Sequence, residues 1–444
     1  MSGEFVLPSS SGLERDARRV TAHATKVAPG EIAIGVVIGR MSEFFDFFVY
    51  AIASVLVFPQ VIFPQYSRLD GTLLSFGVFA LAFIARPLGS VIFMEIDRRH
   101  GRGVKLTIAM FLLSGSTAAI AFLPSHAQIG VAAVGLLSLF RIGQGLALGG
   151  AWDGLASLLA LNAPPEKRGW YAMVPQLGAP LGLLLASALF AFFVINLSPA
   201  DFLEWGWRYP FFVAFAVNVV ALFARLRLVA THEFETLLER KELEPTKVTD
   251  MLNAEAGTVI IGAFAPLASF ALFHMVTVFP LSWVFLYTNG VNGFLVLEMV
   301  SCVVGIIAIA ASGIIADRIG RKRLLAICAG LIAIFSVFAP LLLGGGRIGE
   351  IVFMVLGFGL LGLSFGQAAG AVASNFAQRY RYTGAAMTSD LSWLFGAGFA
   401  PLVALTLASH FGLIASGAYL LSGAIGTLLA LTVNRQLELK DSDG

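Results

Sequence analysis

Apolar residues are concentrated in long runs along the chain, and short polar stretches separate these runs. A helix that crosses a bilayer needs roughly 20 mostly apolar residues. Twelve such runs lie near 32–58, 72–96, 104–123, 128–161, 170–196, 209–229, 257–288, 293–316, 324–343, 350–373, 385–409 and 411–433. The strands of an outer-membrane barrel would instead form alternating segments of roughly ten residues, which the sequence does not show. The pattern therefore predicts an all-α membrane protein with twelve transmembrane helices.

The composition agrees with a membrane location and excludes several protein classes. Hydrophobic residues make up 58% of the chain, charged residues make up 13%, and the mean hydropathy is +0.85. Soluble domains carry about 25% charged residues, so a cytosolic enzyme, a nucleic-acid binder and a disordered protein are excluded. Cys302 and Cys328 lie in apolar runs without disulfide or metal-binding spacing, so we expect no metal and no cofactor.

Polar stretches and the distribution of positive charge predict the domains and the orientation. Cytoplasmic loops of membrane proteins are rich in Lys and Arg. With both termini cytoplasmic, 23 of the 29 Lys and Arg residues lie in tails and inward loops, and only Arg68, Arg208 and Arg347 lie in outward loops. The predicted segments are a cytoplasmic tail (1–30), an N-terminal six-helix bundle (31–229), a cytoplasmic central loop (230–256), a C-terminal six-helix bundle (257–433) and a second cytoplasmic tail (434–444).

Two charged turns lie at equivalent places in the two predicted bundles. The turn between spans eight and nine reads Gly-Ile-Ile-Ala-Asp-Arg-Ile-Gly-Arg-Lys over 313–322, and the turn between spans two and three reads Ile-Asp-Arg-Arg-His-Gly-Arg over 96–102. Related turns at matching places indicate an internal repeat. In such turns glycine permits a tight bend, and an Asp can meet the positive end of a helix. For the first turn alone, the general enrichment of Arg in inward loops is an alternative explanation.

Because these turns occur on twelve spans, the chain resembles the major facilitator superfamily, and further motifs resemble its metabolite:proton symporter family. These motifs are Glu43-Phe-Phe-Asp46-Phe, Ala85-Arg86-Pro87-Leu-Gly89, Arg141-Ile-Gly-Gln144-Gly145, Pro175-Gln176-Leu-Gly178-Ala-Pro180, Trp205-Gly206-Trp207-Arg208-Tyr-Pro210-Phe211 and Arg381-Tyr382-Thr383-Gly384. The resemblance covers about residues 31–433 and implies two six-helix bundles that alternate access to a site between them. The candidate gate residues are Asp97, Arg98, Arg99, Arg102, Asp153, Gly313, Asp317, Arg318, Gly320, Arg321 and Asp390.

The chain departs from the family pattern at four places. In the first turn the acid Asp97 stands one place early, and in span four Ala151 and Asp153 move an acid by two places. Ser374 stands where the family has Glu before span eleven, and Arg40 is a charge that the family pattern does not include. The first two departures concern the cytoplasmic gate.

Ionisable residues inside spans are costly, so they mark functional positions by default. Arg40, Glu43 and Asp46 follow at three-residue steps and share one face of the first helix. Glu43 and Asp46 are candidates for the coupling proton, because burial favours the neutral acid and a nearby cation favours the carboxylate. His274 in span seven is a third candidate, since imidazole titrates near neutral pH. The alternative is structural: Arg40–Glu43 and Arg141–Asp46 ion pairs and a packed histidine that only brace the helices.

Cations near the predicted midplane favour an anionic ligand. Arg141 and Arg40 would hold its charged group by charge-assisted hydrogen bonds, and Gln176 would orient it through its amide. Gln176 could equally make only interhelical hydrogen bonds. Asp390 and Asp153 lie near the cytoplasmic ends of their spans, where we expect ion pairs with the three arginines of the first charged turn.

Two other charges within spans receive smaller roles. Arg86 lies about eight residues from the cytoplasmic end of span two, and we expect it to serve a gate or the packing of the bundle. Glu298 lies near the outer end of span eight without an evident partner, and we expect no central role for it.

The sequence leads to three functional hypotheses. The first is a secondary active transporter that imports a small organic acid together with a proton across the cytoplasmic membrane of a bacterium. The family resemblance also allows zwitterions such as proline or betaine. The second is a proton-driven exporter of metabolites or drugs, and the third is a membrane sensor that no longer transports. We expect a monomer in the lipid bilayer without a nucleic-acid partner. We also expect no enzyme activity, because the sequence has no nucleophile–base pair, metal cluster or phosphate-binding loop.

Overall fold

The computed structural model describes residues 29–151, 163–229, 244–288, 290–368 and 376–442, and these ranges contain helices and no β-strand. Eleven segments within them are long and apolar enough to cross a membrane, and one further long helix precedes these eleven. The prediction of an all-α membrane protein is confirmed. Of the predicted gate residues, Asp153 lies outside the described residues, and so do Ser374 and most of the N-terminal tail and the central loop.

The long helical segments coincide with the predicted spans and are numbered here in chain order. They are α1 (Pro29–Leu56), α2 (Arg68–His100), α3 (Arg102–Ala121), α4 (Ala132–Gly150), α5 (Arg168–Asn196), α6 (Pro199–Leu226), α7 (Leu267–Tyr287), α8 (Val291–Ile319), α9 (Arg321–Leu343), α10 (Gly346–Ala368), α11 (Arg381–Phe411) and α12 (Leu413–Asn434). Another helix, Val248–Phe264, leads into α7. The short helices Phe58–Val61 and His126–Ile129 lie in the connections after α1 and α3.

Helix α1 differs from the other long helices in its charge. It has 28 residues, which at 1.5 Å per residue is about 42 Å, longer than the hydrocarbon core of a bilayer at ~30 Å. Arg40, Glu43 and Asp46 interrupt its apolar sequence, and both acids are buried. The charged face of α1 therefore lies against other helices of the protein.

Several long segments are interrupted within their length, among them α5, α7 and α11. A 3₁₀ turn at Val174–Leu177 breaks α5, a π-helical turn at Trp393–Gly398 breaks α11, and α7 is interrupted at Val278, just before Pro280. Proline and irregular turns bend a helix and free backbone groups from the regular ladder. Discontinuous helices commonly form binding sites in membrane proteins, so these breaks direct attention to the centre of the molecule.

Close packing of α2 on α4 depends on glycine. A Cβ atom at Gly145 would overlap the backbone of Ala82, and one at Gly149 would overlap the backbone of Arg86. Small residues allow two helix backbones to approach closely within a membrane. The Gly145 and Gly149 seam thereby fixes the position of α2, which carries Arg86 into the centre.

Contacts between the first six and the last six helices join the two halves of the chain. Helix α5 packs along α8, and α2 packs along α11. The two charged turns have matching backbones, since Gly101 and Gly320 follow α2 and α8 with φ of 84° and 87°. These positive φ values are readily adopted by glycine, and their recurrence supports the internal repeat. The domain boundaries at 31–229 and 257–433 stay a prediction.

Candidate functional site

Glu43 is held by two guanidinium groups. Its Oε2 lies 2.6 Å from Nη1 of Arg40, and its Oε1 lies 2.5 Å from Nη2 of Arg225 on α6. Arg225 also donates to the carbonyl oxygens of Gly39 and Ala151, each at 3.0 Å. The Arg40–Glu43 contact was expected from spacing, whereas Arg225 was grouped with the cytoplasmic cations because it stands at the end of an apolar run. Glu43 is thus fixed as a carboxylate between α1 and α6.

Asp46 lies deeper along the same face of α1 and meets only uncharged donors. Asn218 on α6 donates from Nδ2 to Oδ1 at 3.0 Å, Gln144 on α4 donates from Nε2 to Oδ2 at 3.2 Å, and the hydroxyl of Thr117 on α3 donates to Oδ1. Among the described residues, Asp46 forms no ion pair. Its side chain is 2% exposed, so four helices enclose a carboxyl group without a cation in contact.

Arg141 does not form the direct ion pair with Asp46 that the sequence suggested as a structural alternative. Its Nη1 donates to Oε1 of Gln144 at 3.0 Å, and Gln144 in turn donates to Asp46. Its Nε donates to the carbonyl oxygen of Phe79 at 3.2 Å, and its guanidinium carbon lies 4.0 Å from the ring centre of Tyr50. The two groups do not meet because the Gln144 side chain lies between the Arg141 guanidinium and the Asp46 carboxyl group.

His274 lies in an aromatic environment beside Arg141. Its ring stacks on Phe47 with centroids 5.2 Å apart, and it lies 5.4 Å from the ring of Phe79. The contact of Nδ1 with the Thr277 hydroxyl is 3.4 Å long, and Nε2 is buried without a hydrogen-bond partner in the described part of the chain. The histidine is therefore packed close to the polar cluster and contributes no hydrogen bond to Asp46.

A small cavity lies beside the Glu43 cluster. Two guanidinium groups, those of Arg40 and Arg86, face it together with Glu43 and aromatic side chains. Its other lining residues are Phe44, Phe47, Ala82, Phe83, Leu148 and Trp393. Neither Arg141 nor Gln176 lines this cavity; Gln176 is buried in the 3₁₀ turn of α5, which packs against α1.

Arg86 is also the partner of Asp390, across the two halves of the chain. Nε of Arg86 lies 2.7 Å from Oδ1 of Asp390, and the hydroxyl of Ser90 donates to Oδ2. The predicted pairing of Asp390 with the arginines of the first charged turn is therefore wrong. Asp390 stands nine residues into α11, which places it opposite the middle of α2, whereas the charged turn lies at the end of α2.

The first charged turn is organised around Asp97. Its Oδ2 lies 3.2 Å from Arg102 and 3.1 Å from Lys105, and the hydroxyl of Tyr382 on α11 donates to it at 3.4 Å. The remaining two arginines of this turn, Arg98 and Arg99, pair with Glu95 at the surface. Asp97 thus joins α2 and α3 to the start of α11 at the predicted cytoplasmic side.

The second charged turn holds the start of α5. Oδ1 of Asp317 accepts a hydrogen bond from the backbone N–H of Gly169 at 2.6 Å, and Oδ2 accepts one from Trp170 at 3.2 Å. Gly313 and Gly169 lie so close that a Cβ on either would overlap its neighbours. Unpaired N–H groups at a helix start favour an acidic acceptor, so Asp317 ties α8 to α5. Arg318, Gly320 and Arg321 complete this turn.

Comparison with known proteins finds similarity along most of the chain. The family model described as Major Facilitator Superfamily matches residues 36–391. The inner membrane metabolite transport protein YhjE of Escherichia coli is 36% identical over 91% of this chain and 94% of its own length, and the shikimate transporter of the same organism is 30% identical over 92% and 94%. A crystal structure of a D-xylose-proton symporter has a TM-score of 0.67 at 19% identity, over 90% of this chain and 96% of that one. The resemblance drawn from the motifs is confirmed.

Proposed function

The chain belongs to the major facilitator superfamily, a family of multi-pass membrane transporters and not of enzymes, and on that premise we propose that it carries a small organic acid together with a proton. We further propose that it acts as a monomer in the cytoplasmic membrane of a bacterium, with both termini cytoplasmic. The similarity to an inner membrane metabolite transport protein and to a shikimate transporter supports this proposal. The distribution of Lys and Arg supports the orientation.

The two guanidinium groups that line the cavity are the observation that carries the substrate class. Three guanidinium groups, those of Arg40, Arg86 and Arg225, face two carboxylates, those of Glu43 and Asp390. Guanidinium groups inside a membrane are costly to bury and mark functional positions by default. A bound carboxylate in this cavity would gain charge-assisted hydrogen bonds from Arg40 and Arg86, the two cations that line it.

Asp46 is the most suitable group for the coupling proton. A symporter needs a carboxyl group that gains and loses a proton in each cycle, so the group must not be fixed in one state. Glu43 is held as a carboxylate by two cations, whereas Asp46 meets uncharged donors of three other helices. Arg141 acts on Asp46 through Gln144, close enough to favour the carboxylate without a direct ion pair. His274 remains the alternative carrier beside it.

Arg86 would couple substrate binding to the separation of the two halves of the chain. In the structure Arg86 on α2 bonds Asp390 on α11 and thereby joins the two halves. A substrate carboxylate in the cavity competes with Asp390 for the same guanidinium, which weakens the contact. The contacts of Asp97 with Tyr382 and of Asp317 with Gly169 lie on the same side and would separate in the same movement.

Proton movement into proteoliposomes tests the proposal. A panel of mono-, di- and tricarboxylates, shikimate-like acids, proline and betaine is added to the outside, and internal pH is followed with a trapped dye. We expect acidification with at least one carboxylate, its loss in Asp46→Asn, and its retention in the matched control Asp70→Asn, an exposed aspartate at the start of α2. Acidification that survives Asp46→Asn would move coupling to His274. No acidification with any compound from folded protein would favour export or a non-transporting role.

A further inference from the structure

We propose that Glu298 is a second proton-carrying carboxyl group, which must be protonated for the outer parts of α5 and α8 to close on each other. This inference rests on the proposed transport cycle and adds a site to it. Glu298 is fully buried on α8, and its Oε2 accepts a hydrogen bond of 2.8 Å from the hydroxyl of Ser187 on α5, which is also fully buried. Ser187 is a neutral residue in an apolar run, so the pattern of residues did not predict it as a partner of Glu298.

The surroundings of Glu298 do not balance a negative charge. Its Oε1 has no hydrogen-bond partner among the residues that the structure describes. Over the same residues, no ion pair includes Glu298, in contrast to Glu43, which has the same side chain and two guanidinium partners. A buried carboxylate with a single hydroxyl donor loses far more hydration than it recovers. In the closed arrangement Glu298 is therefore a neutral carboxylic acid.

The groups that face Glu298 from neighbouring helices confirm its isolation. From α5 it meets Ser187, and on α8 itself the buried thiol of Cys302 follows one turn later. The cation that α10 contributes at this end, Arg347, donates to the carbonyl oxygen of Gly293 and pairs with Glu350. In the described ranges, no Lys, Arg, Asp or second Glu of α5, α7 or α10 makes an ion pair or a hydrogen bond with Glu298.

The position of Glu298 couples its proton to a conformational change. It stands seven residues into α8, the outer half in the proposed orientation, at a contact between the two halves of the chain. When α5 and α8 separate on the outside, water reaches the carboxyl group and it can ionise. Closing then requires a proton from outside, so each closure takes up one proton at Glu298. This uptake is independent of Asp46, which lies among α1, α3, α4 and α6.

Electron–electron distance measurements between two spin labels test this inference without substrate. Asn196 and Asn292 are exposed at the outer ends of α5 and α8, and each is replaced by Cys for labelling. The native Cys302 and Cys328 are replaced by Ala, which adds no hydrogen-bond donor near Glu298. Because closure binds one proton, the ratio of open to closed protein should rise about tenfold for each pH unit over the range where the group titrates.

In Glu298→Gln the tenfold change per pH unit should disappear, and the contact should stay closed at high pH. The reason is that glutamine has the size of the neutral acid and cannot ionise. Glu350→Gln, an acid at the same side but outside the contact, should leave the slope unchanged. If Glu298→Gln does not fold, Ser187→Ala serves instead: it removes a bond that stabilises the closed contact, so the transition should move to lower pH. The same slope in Glu298→Gln, or an unmoved transition in Ser187→Ala, would overturn the inference.

The two proposals fail in different ways. If no compound drives proton uptake in the wild type but the distances still follow pH through Glu298, symport is refuted and the outer contact remains a proton-sensitive gate. If symport is present and lost in Asp46→Asn, while the distances of the wild type do not respond to pH, the role of Glu298 is refuted and symport stands.

Discussion

Arg225→Met is expected to destabilise the protein by about 3 kcal/mol, because it removes one of the two cations that hold the buried Glu43. Breaking a buried ion pair by removing one partner costs roughly 3–5 kcal/mol, since an uncompensated charge remains. Arg40 still contacts the other oxygen of Glu43, so we expect a loss of stability at the lower end of this range. The carbonyl oxygens of Gly39 and Ala151 also lose their donor, which adds to the loss and does not offset it.

A matched control separates burial from the ion pair as such. Arg99 pairs with Glu95 at 2.5 Å, the same distance as Arg225 with Glu43. The side chain of Arg99 is 69% exposed, however, and that of Arg225 is 4% exposed. Arg99→Met should leave stability unchanged within error, because exposed ion pairs contribute little. The free energy of unfolding is measured for both variants by denaturant titration in detergent micelles.

A double-mutant cycle completes the test. In Glu43→Gln the negative charge is gone, so Arg225→Met in that background should cost about 2 kcal/mol less than in the wild type. If the losses of unfolding free energy in the two single variants add up to the loss in the double variant within about 0.5 kcal/mol, Arg225 and Glu43 do not interact in the folded protein. An equal loss in Arg99→Met and Arg225→Met would refute the argument that burial makes this pair important.

Two further predictions concern the helix seam and the contact between the halves. Gly145→Ala should abolish the folded peak in size-exclusion chromatography, because its Cβ would overlap the backbone of α2, whereas Gly115→Ala on α3, where the added Cβ meets open space, should elute as the wild type does. Asp390→Asn frees Arg86 from a competing carboxylate, so the KM for the organic acid should fall about fivefold while the maximal rate decreases, as measured by uptake into proteoliposomes. A KM that rises would show that Asp390 supports binding directly.

The elements that follow from local sequence were predictable. The apolar runs gave the long helices, because a bilayer requires each of them to hydrogen-bond its own backbone. The Arg40–Glu43 contact follows from a spacing of three residues on one helix. The charged turns were identifiable because their glycines and acids recur in both halves, and Asp317 does accept from the start of a helix.

The partners that depend on packing between distant helices could not be read from the sequence. Arg86 and Asp390 are separated by 304 positions, and only the approach of α2 to α11 brings them together. Asp46 was identified as important, but its donors Thr117 and Asn218 are neutral residues in apolar runs and give no signal of their own. Glu298 was set aside because no cation accompanies it, and that same lack of a cation is what makes its protonation state informative.

The amide of Gln144 bears on whether protons can leak through the protein without substrate. Its Nε2 donates both to Asp46 and to Thr117, and its Oε1 accepts from Arg141. An amide does not release or accept a proton at ordinary pH, so it interrupts the line of polar groups at this point. A continuous line of hydroxyl and carboxyl groups would let protons run down their gradient unaccompanied. On the proposed role of Asp46 as the proton carrier, the amide would let a proton on Asp46 cross only when the whole molecule turns over, and the gradient would not leak through the resting protein.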